Sequence, residues 1–139
     1  MTRIMIVDDN KRARCALKAL MSQQAGIDIT TQASNGQEAI QNLNEQMPDI
    51  VLMDMCMPVM DGLEATRTIK AKWPQIKVIA LTMYPDYQAE ALAAGADAFL
   101  LKGCSMEEIT ALVQSIQRRE TGYSLFIRDC YLISIPPQI

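Results

Sequence analysis

Four short runs of unbroken apolar residues constrain this chain more than anything else in it: Ile4-Met5-Ile6-Val7, Ile50-Val51-Leu52-Met53, Val78-Ile79-Ala80-Leu81 and Phe99-Leu100-Leu101. Each has the length of a strand, and a strand without polar alternation is one covered on both faces. A fifth segment, Ile27 to Ala33, reads Ile-Asp-Ile-Thr-Thr-Gln-Ala. It alternates and is more polar, as suits the edge of a sheet. Amphipathic stretches of helical period separate these five segments. Asn10 is placed to cap a helix with Ala13, Ala16, Leu17, Leu20 and Met21 on one face, ending near Gly26. Ser34-Asn-Gly-Gln37, Asp61-Gly-Leu-Glu64 and Ser105-Met-Glu-Glu108 each have capping-box spacing, in which two side chains satisfy open backbone N–H groups. Pro48 and Pro74 bound the second and third helices, and Gly95 the fourth. The fifth groups Ile109, Leu112, Val113 and Ile116, with Arg118 and Arg119 at its negative end before Gly122.

Five strands alternating with five helices through short loops imply right-handed crossovers and one parallel sheet. The expected fold class is α/β, a doubly wound (βα)5 sheet in the order 2-1-3-4-5 with the polar second strand at one edge. Ligands in such sheets bind beyond the C-terminal strand ends, where the winding reverses between the first and third strands. That rule says where chemistry belongs before any motif is considered.

Charged and polar residues gather at those ends. The first strand runs into Asp8-Asp9, the third into Asp54, the fourth into Thr82 and the fifth into Lys102. Two carboxylates ~5 Å apart at an effective dielectric near 20 repel by roughly 3 kcal/mol. A divalent cation and the Lys102 ammonium would offset this. Oxygen ligands without imidazole or thiolate favour Mg²⁺. Such a site suits phosphoryl transfer to a carboxylate, where positioning and cationic stabilisation supply most of the catalysis. Asp54 is the candidate nucleophile, on the central strand, and Thr82 offers a hydroxyl donor. Taken singly, Asp8-Asp9 reads as a helix cap, Asp54 as a turn residue, Thr82 as an ordinary strand end and Lys102 as a solvated charge. The coincidence of these five residues at four strand ends is what carries the reading.

Composition narrows the alternatives. The 139 residues fit one domain, and the formal charge of −3 argues against direct nucleic-acid binding. No apolar run approaches the ~20 residues that cross a bilayer, so no membrane partner is expected, and Asp8-Asp9 interrupts anything like a signal peptide. A cytoplasmic protein is the expectation. Cys15, Cys56, Cys104 and Cys130 form no C-x-x-C pair and read as free thiols. The chain has no histidine, which removes Ser-His and Cys-His catalysis and any phosphohistidine of its own. A haloacid-dehalogenase-type hydrolase would want a second Asp two residues after the nucleophile, where Cys56 stands. A nucleotide-binding enzyme would want a glycine-rich loop where Asp-Asp-Asn stands.

The segments MIVDDN, DIVLMDMCMPVMDG, VIALTMY and GADAFLLKG make the chain resemble a bacterial response-regulator receiver domain of two-component signalling, over residues 1–120. The last two look most like the NarL branch, whose members usually carry a LuxR-type DNA-binding output domain. The resemblance implies a flavodoxin-like fold that is no enzyme beyond its own phosphorylation and dephosphorylation. It implies that Asp54 takes a phosphoryl group from a sensor histidine kinase. By the same resemblance Asp9, Asp54 and the backbone carbonyl of Cys56 bind Mg²⁺ and Asp8 acts through water. Lys102 then pairs with the phosphoryl group, while Thr82 and Phe99 move together as the switch; plain core packing is the other reading of Phe99. The output would be a protein-binding or dimerisation surface, with a homodimer or a separate effector as partner. A constitutive, phosphorylation-independent interaction module is the competing function. The family usually has Pro after the active-site lysine. Gly103 stands here, so a trans bond is expected. Residues 121–139 do not match a complete output domain. Tyr123, Leu125, Ile127, Tyr131, Ile133 and Ile135 share one parity, which suggests extended structure with a turn at Arg128-Asp129 and an end at Pro136-Pro137.

Overall fold

The computed structural model describes residues 1–118, 125–127 and 130–132. Five strands alternate with the helices: β1 (Thr2–Val7), α1 (Lys11–Ser22), β2 (Ile27–Ala33), α2 (Gly36–Leu43), β3 (Ile50–Asp54), α3 (Gly62–Lys72), β4 (Lys77–Thr82), α4 (Gln88–Ala93), β5 (Ala98–Leu101) and α5 (Met106–Arg118). A 3₁₀ turn, Pro85–Tyr87, leads into α4. The strands form one parallel sheet in the order β2-β1-β3-β4-β5, as the sequence pattern requires. Two further strands, β6 (Leu125–Ile127) and β7 (Cys130–Leu132), pair antiparallel. The expected positions Arg119, Gly122, Tyr123, Arg128-Asp129, Ile133, Ile135 and Pro136-Pro137 lie outside the described residues.

The strands divide their side chains between two cores because successive residues point to opposite faces. Met5, Val7, Val51, Met53, Val78, Ala80 and Phe99 pack toward α2, α3 and α4 with Leu43, Ala65 and Ile69. Ile4, Ile6, Ile50, Leu52, Ile79, Leu81 and Leu100 pack on the other side with Met21, Leu112, Val113 and Ile116. The helix α1 is less buried than its pattern suggests. Met21 is enclosed and Leu17 half-buried, while Ala13, Ala16 and Leu20 are exposed. A cavity of about 260 Å³ bounded by α1, Lys102-Gly103-Cys104 and α5 lies under that face.

Helix starts follow the sequence with one correction. Asn10, Asp61 and Ser105 accept the backbone N–H groups of Ala13, Glu64 and Glu108, which is the forward half of each expected box, and Glu108 Oε2 has no hydrogen-bond partner to complete it. At α2 the cap is Asn35 rather than Ser34. Asn35 Oδ1 accepts from Glu38 N at 2.9 Å, and the Glu38 carboxylate takes the Ser34 hydroxyl at 2.6 Å. The cap moves one residue along the chain, and the Glu38 carboxylate reaches back to Ser34, the residue before the cap, where a charged acceptor makes the stronger bond.

One loop positions the site directly. Between β3 and α3 the chain turns back so that Gly62 N donates to Met55 O at 3.2 Å. A methyl group on Gly62 would collide with the Asp54 carbonyl oxygen and the Met55 backbone. The obstruction is main chain and cannot rotate away. Gly62→Ala is therefore expected to destabilise the fold by about 1–3 kcal/mol, read as a lower midpoint in urea unfolding.

Candidate functional site

Asp8 and Asp9 follow β1, Asp54 ends β3, Thr82 ends β4 and Lys102 follows β5. Strand register brings them level, since Val7 pairs with Met53, Asp54 with Leu81 and Thr82 with Leu101. They surround a cleft of about 240 Å³ at the reversal of winding, together with Asn10, Cys56, Met83 and Tyr84.

One carboxylate oxygen from each of Asp8, Asp9 and Asp54 lies within 4.8 Å of the other two. Lys102 Nζ bridges two of them, 3.0 Å from Asp8 Oδ2 and 3.3 Å from Asp54 Oδ2. Asp54 is only 5% exposed. Burial raises its pKa from 3.8 to about 6, against the lowering effects of the Lys102 charge and of the Cys56 N–H, which donates to Asp54 Oδ1 at 3.2 Å. The Asp8 charge adds to the rise. For Lys102 burial is the largest single influence and pulls the pKa down, but its bond to Asp8 and the Asp54 charge together outweigh it, so the ammonium is held above its ordinary value. The donor set is oxygen only, close and over-supplied with negative charge, which fits a hard divalent cation.

The remaining expected residues divide. Thr82 is buried beside the cleft, and its hydroxyl oxygen accepts the Tyr84 N–H at 3.1 Å, leaving its own proton free to be donated. Cys56 is exposed at the cleft, and its nearby thiol is the main influence that raises the Tyr87 pKa. Phe99 is not brought to the cleft. It is fully buried beside Ala80 in the core facing α2, α3 and α4. The Lys102-Gly103 bond is trans, and Gly103 takes φ +96°, a left-handed conformation that glycine adopts without steric cost. Sequence reasoning missed Arg14, whose Nη1 donates to the Asp8 carbonyl at 2.6 Å. Its four-residue distance from Asn10 on a helix was the available signal.

The family model for the response regulator receiver domain matches residues 4–114, which carry every cleft residue named above. Among curated proteins the response regulator protein VraR of Staphylococcus aureus is 37% identical over 123 residues, covering 87% of this chain and 59% of that protein. The chain thus spans somewhat over half the length of such relatives. Among solved structures, a LuxR-family two-component response regulator from Aurantimonas sp. SI85-9A1 superposes with a TM-score of 0.79 at 30% identity, covering 84% of both chains. The signal receiver domain of the putative response regulator NarL from Mycobacterium tuberculosis gives 0.78 at 26% identity, covering 85% of this chain and 98% of that one. With fold, strand-end acids and family model in agreement, the chain belongs to the response regulator receiver domain family.

Proposed function

We propose that this chain is a phosphoacceptor receiver: Asp54 takes a phosphoryl group from the phosphohistidine of a sensor histidine kinase. The observation that carries the reading is the Lys102 ammonium lying between the Asp8 and Asp54 carboxylates, with Asp9 close enough to share a cation. Asp54 is nearly enclosed, so the charge it carries is poorly hydrated and its oxygen is available to attack phosphorus. A new O–P bond forms at Asp54 as the P–N bond to the donor imidazole breaks, and the imidazole leaves with its electron pair. The donor must be another molecule, because this chain has no histidine.

Asp9, Asp54 and the backbone carbonyl of Cys56 would hold Mg²⁺, with Asp8 acting through water. The ion would neutralise charge on the phosphoryl oxygens. Lys102 would leave the Asp54 carboxylate to pair with the incoming phosphoryl group, and the Thr82 hydroxyl would donate to it. On this reading Thr82 and Phe99 bias two conformations, and the output is a protein-binding or dimerisation surface. Residues 1–120 form the receiver and 121–139 an apolar extension of it.

Incubation with Mg²⁺ and a small acyl phosphate, followed by intact-mass measurement, is expected to show the gain of one phosphoryl group. The gain should vanish in Asp54→Asn and without divalent cation. A gain that survives Asp54→Asn would sink the assignment.

The raised pKa of Asp54 has a thermodynamic consequence. Between pH ~4 and ~6 the folded carboxyl keeps a proton that the unfolded chain releases, so stability falls as pH rises through this window. The cost of the buried charge is fully present above pH 6 and absent below pH 4. In chelator, Asp54→Asn is therefore expected to melt higher than the wild type at pH 7.5, with the difference closing by pH 4. Added Mg²⁺ should raise the wild-type melting temperature and leave that of Asp54→Asn nearly unchanged.

A further inference from the structure

The three acids are not equally supported. Asp54 has Lys102 and the Cys56 amide, and Asp8 has Lys102 and the Asn10 amide at 2.9 Å. Asp9 is exposed, and among the described residues no hydrogen bond or ion pair holds its carboxylate. Its direction is therefore set by the backbone that carries it, above all by the peptide joining Asp8 to Asp9. The oxygen of that peptide is the one Arg14 Nη1 grips at 2.6 Å. Arg14 is itself anchored to the same turn, because its backbone N–H donates to Asn10 O at 2.9 Å. Main chain and side chain of one residue thus fix both sides of Asp9.

The placement of Arg14 also needs a reason. The first turn of α1 contains no acidic residue, yet Lys11, Arg12 and Arg14 lie in its first four positions. Cations are unfavourable at the positive end of a helix dipole. The acid cluster immediately before the helix supplies the missing complement, and Arg14 alone of the three is half-buried against it. A guanidinium keeps its charge at any working pH, and a bond from a charged donor is about twice as strong as a neutral one.

We propose that Arg14 is a positioning residue for the divalent-cation site: by clamping the Asp8 carbonyl it aims the Asp9 carboxylate into the cluster. The inference rests on the reading of that cluster as a Mg²⁺ site. Arg14 touches neither the cation nor the phosphoryl group and acts through the turn alone.

Magnesium titration of the whole chain by calorimetry, with backbone amide shifts of residues 8–10 followed in parallel, tests it on wild type, R14A, R14Q, R14K and D9N. Removing a group that orients a metal ligand typically weakens binding about 10- to 100-fold. R14A is expected near the lower end of that range, with R14Q similar and R14K, which keeps a cationic donor, restored to within about threefold of wild type. In phosphorylation by a small acyl phosphate, R14A should raise the Mg²⁺ concentration for half-maximal rate while the rate at saturating Mg²⁺ returns close to wild type. R14Q keeps the alkyl stem and carries the same test should R14A prove unfolded by circular dichroism. Magnesium affinity in R14A and R14Q within twofold of wild type, or tighter because a nearby positive charge has gone, would overturn the proposal. So would a fall in the saturating rate without a shift in magnesium dependence. Wild type and D9N that both fail to bind Mg²⁺ would instead bring down the magnesium reading of the cluster, and this inference with it.

Discussion

The Lys102 ammonium between Asp8 and Asp54 is the contact on which the rest of the molecule depends. Three carboxylates at one rim repel one another by roughly 3 kcal/mol per pair at ~5 Å. Two of them are also nearly enclosed. The fold tolerates the arrangement because β5 delivers a cation to the same level from the other side of β4. That delivery needs parallel strands in this order. An antiparallel neighbour would send its end to the opposite rim. Lys102 N also donates to Thr82 O at 2.7 Å, so the residue that supplies the charge extends the β4–β5 ladder. Burial nonetheless prevails at Asp54, whose pKa remains raised, and the lysine leaves the site short of positive charge. A pocket balanced in this way is poised to take up more of it.

Most of this was legible in the residues, and for a physical reason. Doubly covered strands must be apolar throughout, so each announces its own end by the first polar residue after it. Asp8, Asp54, Thr82 and Lys102 were located by that rule alone, and the order of the strands then brought them together. The helix caps were nearly as clear, since Asn10, Asp61 and Ser105 act through contacts three residues away. The displacement at α2 shows the limit of spacing. Ser34 and Asn35 are both good caps, and only the geometry of Glu38 decides between them.

What escaped the sequence depends on distance along the chain or on the direction of a side chain. Lys70 donates to Asp97 Oδ2 at 2.9 Å and to Ile76 O at 2.9 Å, while Asp97 also accepts the Val78 N–H. This pair fastens α3 to the start of β5 across 27 residues, and nothing local to either residue announces it. Phe99 is ambiguous for another reason. An apolar residue in a buried strand reads as core under any hypothesis, and core is where it sits. The depth at which α1 packs is not legible, because Ala13 and Ala16 satisfy a helical period without obliging the helix to pack closely. Small side chains fix a face and leave its depth open.

The supports of the sheet are unevenly distributed, and the unevenness has a direction. The helices α1, α2 and α3 each begin on a side chain that takes up a backbone N–H. The segment after Thr82 has no such anchor at either of its starts, neither the 3₁₀ turn nor α4. The helix α4 has six residues, and Ala91 is the one it buries fully. Segments with few buried contacts and open caps occupy the low end of local stability. Thr82 holds the Tyr84 N–H at the root of this segment. If its hydroxyl is drawn toward charge at Asp54, the first bond to be strained belongs to a lightly held segment. The segment that Thr82 touches is thus held by fewer caps than α1, α2 and α3 around the same rim.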